Sequence, residues 1–170
     1  MTPRATPPLP RHQATVEAVL IGAGWEYVVT VKEGVCYTFV FFGPHDHTGH
    51  ELVLVAGDGR PGVTLQLHLS TFPSEATRAE TALLLGWLNG RISRASFVLG
   101  ESEDEVILRG RVDEGLGTPV DVDTLDAVID ALIDADARFM KVIADVAGGR
   151  CTATTALQAT RADTVIATPQ

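Results

Sequence analysis

The chain has 170 residues, 45% of them hydrophobic, which is enough to bury one core and too apolar for a disordered polymer. Its net charge of −9 disfavours direct nucleic-acid binding, which depends on cations displacing counterions from phosphates. No apolar run reaches the ~20 residues of a membrane helix, so no membrane contact is expected.

Residues 1–12 contain Pro3, Pro7, Pro8 and Pro10, a density incompatible with helix interior or central strand, and read as a flexible arm. Arg4 and Arg11 are followed by no apolar signal segment, so the expected compartment is the cytoplasm. Helical spacing begins with Val16, Val19, Leu20 and Ala23, and Gly22 and Gly24 close that helix. Gly22-Ala23-Gly24 also starts a G-x-G-x-x-G, but Tyr27 stands where the third glycine belongs. The order is inverted as well, because helix precedes the glycines and strand follows them. Two glycines ending a helix explain those letters.

From Trp25 the period becomes two. Glu26–Lys32 and Val35–Phe42 flank Glu33-Gly34 as a hairpin. The stretch GPHDHTGH, residues 43–50, holds His45, His47 and His50. With Asp46 these imidazoles supply the ligand types that zinc accepts, but Gly43-Pro44 and Thr48-Gly49 are turn chemistry, which favours a plain strand connection. Glu51–Ala56 is the next strand. After the turn at Gly57–Gly62, Val63, Leu65, Leu67 and Leu69 alternate with Thr64, Gln66, His68 and Ser70. His68 therefore reads as an ordinary residue on the wet face.

The second helix runs from a Ser74 cap to Asn89-Gly90, with Ala76, Ala79, Leu83, Leu84, Trp87 and Leu88 as its stripe. A second hairpin joins Ser96–Gly100 to Glu105–Val112 through an acidic turn at Glu101–Asp104. The third helix, capped by Asp121, carries Val122, Leu125, Ile129, Leu132, Ile133, Phe139, Met140 and Ile143 on one side. Asp123, Asp126, Asp130 and Asp134 follow one another on a different side, and Gly148-Gly149 end it. Residues 101–136 have a net charge of −10, so that stripe faces water or a cationic partner. Residues 150–170, rich in Thr and Ala, read as a loose tail.

Hairpins dominate and no β–α–β unit repeats, so the fold class is α+β. The expectation is one domain over residues 13–149, an antiparallel sheet with helices packed on one face, in the order α-β-β-β-(β)-α-β-β-α. Cys36 in a strand and Cys151 in the tail give no disulfide framework, and no base is placed to activate either thiol. No phosphate-binding lysine loop or nucleophile elbow occurs, and no cofactor is expected.

The pieces "WLNGR", "ASFVLG", "EVILRGRV" and "IDALIDADARFMKVI", with the helix before Gly24-Trp25, resemble the YbjN family of bacterial domains. Through it they resemble the type III secretion chaperone-like fold. The resemblance spans roughly residues 13–149. It implies an α-β-β-β-α-β-β-α sandwich, usually a homodimer, that holds another protein instead of catalysing a reaction. The strand at 63–70 is an addition to that pattern.

The functional expectation is a non-enzymatic, chaperone-like or regulatory protein-binding domain. Its partner surface would include Phe97, Leu99, Val106 and Leu108 of the second hairpin, where burial is ambiguous by pattern. Asp126, Asp130 and Asp134 would steer a basic or partly unfolded partner. The alternative, from another class, is a metal-binding or metal-sensing protein using His45, His47 and His50.

Overall fold

The structure, a computed structural model, describes residues 10–42, 50–57, 61–100, 105–115 and 118–166. Its elements are α1 (Gln13–Gly22), β1 (Tyr27–Lys32), β2 (Val35–Phe42), β3 (His50–Ala56), β4 (Gly62–His68), α2 (Arg78–Asn89), β5 (Ala95–Leu99), β6 (Val106–Asp113), α3 (Val122–Ala147) and α4 (Ala153–Ile166). The strands form one antiparallel sheet in the order β1-β2-β3-β4-β6-β5. The expected α+β class holds, and so does the element order as far as α3, after which a fourth helix follows; the additional strand is β4, in the middle of the sheet.

Local chemistry explains the joints. Glu33 and Gly34 both have positive φ, 53° and 82°, which is the two-residue turn whose twist matches a β-hairpin. Lys32 therefore faces Val35 and fixes the β1–β2 register. Gly22-Ala23-Gly24 ends α1 and leads into β1, with Trp25 N–H reaching back to the Leu20 carbonyl at 3.0 Å. The first half of the chain is thus a meander, and β6 re-enters beside β4 after α2 has crossed one face.

That face is the core. Cys36, Val40, Leu52, Leu54, Val63, Leu65, Leu67, Phe97, Leu108 and Val112 point into it and meet Val16, Leu20, Leu84, Leu88, Leu125, Ile129, Leu132 and Ile143 from the helices. Phe97 and Phe139 meet edge to face, centroids 6.3 Å apart. Gly110 lets α3 approach, since a Cβ there would lie 2.7 Å from Val128 Cγ1. Asp121 caps α3, its carboxylate accepting from Thr124 N at 2.9 Å and Thr124 Oγ1 at 2.6 Å. Those bonds, the side-chain one first, hold the Asp121 carboxyl below its usual range.

Three expectations are corrected. Residues 11–12 are not arm: His12 is buried, its Nδ1 accepting from Val120 N at 3.4 Å and its Nε2 lying 3.2 Å from Glu114 Oε2. The segment after residue 150 is a helix, not a loose tail: Glu80 of α2 caps its start by accepting from Ala153 N at 2.7 Å. Ala153 and Ala156 are buried in the core cluster, so the domain continues past residue 149. In α2, Leu85 is buried and Leu83 is 57% exposed, because the helix starts at Arg78 and its phase follows Thr81, Leu84, Leu85 and Leu88.

Among the described residues no helix is long and apolar enough to cross a membrane. Residues 1–9, the turn residues 58–60, the acidic turn at 101–104, and His45 and His47 lie outside the described residues.

Candidate functional site: the helix-free face of the sheet

The second face of the sheet carries no described helix. Its side chains follow from the strand registers. One row runs Val28–Phe39–Val53–Gln66–Arg109–Ser96 across all six strands. The neighbouring rows run Thr30–Tyr37–Val55–Thr64–Arg111 and Phe41–Glu51–His68–Ile107–Val98. The β1–β3 half is thus mainly aromatic and aliphatic, with Thr30 and Glu51 among its residues, and the β4–β6–β5 half is mainly polar and cationic, with Ile107 and Val98 at its margin.

Phe41 is 65% exposed and Val28 58%. Val53 and Val55, opposite Phe39 and Tyr37, are buried although no described helix covers them. Aromatic and β-branched residues directly across an antiparallel pair close over one another in this way. A depression of about 440 Å³ lies there, lined by Tyr37, Phe39, Val53, Val55, Thr64 and Gln66 among others.

At the margin of this face, His68 Nδ1 lies 2.7 Å from Glu105 Oε2, and Glu105 Oε1 accepts from Ser70 N at 3.1 Å. His68 is therefore a bonded sheet residue that ties β4 to the start of β6. The two sheet edges differ. Asn89, at the end of α2, accepts from Phe97 N at 2.6 Å and donates to Phe97 O at 2.9 Å, occupying the middle of edge strand β5. Edge strand β1 pairs only with β2 in the sheet, and Val28 and Val31 are exposed along it.

The partner surface expected from sequence is not assembled. Phe97, Val106 and Leu108 are buried beneath α2 and α3, 2% exposed or less, and Leu99 is half-buried against the same core. The physical reason is parity: Phe97 pairs with Leu108 and Leu99 with Val106, all on the helix-covered face. Asp126, Asp130 and Asp134 are exposed as expected, with Asp134 3.3 Å from Arg138. They lie on α3, in the layer opposite the helix-free face, so hairpin and stripe form no common surface.

His50 lies at the start of β3, its Nδ1 2.8 Å from Asp136 Oδ2 of α3. That hydrogen bond, offset in part by burial, raises the His50 pKa above its ordinary value. Asp136 Oδ1 is buried and has no hydrogen-bond partner among the described residues. Among the described residues no group of three or more candidate metal ligands occurs. Burial in the core, with Glu17 nearby, pushes the Cys36 thiol up, away from the reactive thiolate.

Sequence reasoning missed the helix-free strip, although its signal is present. β2 reads VCYTFVFF and β3 HELVLVA, apolar at both parities where a half-solvated strand alternates. Comparison with protein-family models, with curated proteins and with solved structures finds no match to this chain.

Proposed function

We propose that this domain holds a partner protein on the helix-free face of its sheet, as a chaperone-like or regulatory adaptor, without doing chemistry on it. One observation supports the reading above the rest: Val28 and Phe41 are exposed and Phe39 between them is half-exposed, an apolar strip beside β1, which among the described residues pairs only with β2. Covering a fully exposed side chain of this kind yields about 1.5–3 kcal/mol, which a partner closing over the strip gains against the cost of association. A segment that also pairs with β1 adds backbone hydrogen bonds. The cysteines, Cys36 and Cys151, are both free, which supports a reducing compartment, the cytoplasm.

The test is capture of interacting protein from native cell extract by the wild type and by Val28→Asp and Phe41→Asp. Both substitutions sit at exposed positions, so circular dichroism should show an unchanged fold while capture is lost. Undiminished capture by both variants would remove this face from the account. Sedimentation of the purified chain over a range of concentrations shows whether the occupant is a second copy, as in a homodimer.

A metal reading keeps one observation in its favour. His50 bonds a carboxylate through Nδ1, the arrangement that orients an imidazole to ligate through Nε2. Zinc analysis of tag-free protein, wild type against His50→Ala, tests it: bound metal lost on substitution supports it, and a metal-free wild type ends it.

A further inference from the structure

The cations on the helix-free face converge. Arg94, Arg109 and Arg111 line one depression of about 460 Å³ together with Thr64 and Ser96. Arg111 is held in place: Nε donates to Asp113 Oδ1 at 2.5 Å, Nη1 to Thr64 Oγ1 at 2.9 Å and Nη2 to the Pro61 carbonyl at 3.3 Å. Arg109 projects from the next outward position of the same strand, and both point away from the core because Gly110 between them faces α3. Arg94, at the entry to β5, is exposed and adopts a left-handed backbone, φ 65°, unusual for a residue with a long side chain. Three arginines thus line one depression in a chain whose net charge is −9, with Asp113 bonded to Arg111.

This depression adjoins the apolar one. Thr64 lines both, and Gln66 stands between Val53 and Arg109 in a single cross-strand row. Resting on the docking function proposed above, we infer that the occupant is an acidic, apolar peptide segment. Its carboxylates are taken by Arg94 and Arg109, and its apolar side chains lie over Phe39, Val53 and Val55. Guanidinium forks match carboxylates in geometry and form the stronger, charge-assisted class of hydrogen bond. Phe39 on β2 and Arg109 on β6 are three strand spacings apart. At about 4.8 Å each that is about 14 Å, which an extended segment crosses in about four residues. A nucleic acid fits poorly, since its continuous phosphate charge meets the surrounding acids as well as the three arginines.

Selection of a random peptide library on the full-length protein tests this. The expected result is enrichment of sequences with Asp or Glu about four residues from an aromatic or aliphatic residue. Arg94→Gln and Arg109→Gln should each weaken a selected peptide about tenfold, and added salt should weaken it further. Arg111 is left intact because its bonds to Thr64 and Pro61 are structural. Enrichment of apolar sequences without acids, or affinity indifferent to both substitutions, overturns the acidic-segment inference while leaving docking in place. Displacement of the peptide by inorganic phosphate at matched ionic strength also overturns it, because the depression is then a site for small anions. No enrichment of any kind counts against it too, and loss or retention of capture by Phe41→Asp then judges the docking function separately.

Discussion

His50 Nδ1 and Asp136 Oδ2 approach to 2.8 Å and tie the first residue of β3 to the middle of α3. The bond favours the imidazolium, so the folded-state pKa of His50 lies above its unfolded value of about 6.5. Its stabilisation is complete below that value and is lost as pH rises through the folded pKa. Thermal unfolding from acid to alkaline pH should show wild type losing about 1–2 kcal/mol relative to His50→Gln as this contact is neutralised. Parallel profiles for the two proteins would show that the contact contributes nothing to pH dependence.

Phe97→Ala should act on the fold. Its ring is 2% exposed and packs edge to face on Phe139, so truncation should cost about 3–5 kcal/mol. Urea unfolding measures this. A loss below about 1 kcal/mol would mean that the ring is not in the core.

Gly110→Ala should destabilise by about 1–3 kcal/mol through overpacking, because the new methyl meets Val128 Cγ1 at 2.7 Å. Val128→Ala removes that atom, so the double variant should recover part of the loss in a double-mutant cycle. Strict additivity of the two costs would argue against the contact between β6 and α3.

Asp126→Asn with Asp130→Asn should relieve like-charge repulsion one turn apart and stabilise by about 0.2–0.5 kcal/mol. Partner association should change little, since these groups lie in the helix layer and the strip lies across the sheet. A marked slowing of association would return the stripe to the binding surface.

Much of the fold was legible because its signals are local. Glu33-Gly34, the Asp121 cap and the alternation of Val63, Leu65 and Leu67 each depend on a few neighbouring residues, and each is found in place. α4 was not legible: its buried contacts are Ala153 and Ala156, too small to mark a stripe, and its cap is Glu80, some seventy residues upstream. Phe97 and Leu108 were misplaced for a different reason. A hairpin with apolar residues at both parities, Phe97 and Leu108 against Val98 and Ile107, does not disclose which face a distant helix will cover. The helix-free strip was only half legible: VCYTFVFF shows two apolar faces, but which of them a helix covers is set by distant residues.

Docking on the helix-free face is tested most directly by photo-cross-linking in intact cells, with a photoreactive residue in place of Phe41 or, separately, of Asp130. Position 41 lies in the exposed strip, and position 130 is exposed on the opposite layer. Docking as described gives a discrete protein adduct from position 41 and none from position 130. An adduct from position 130 with none from position 41 would contradict it.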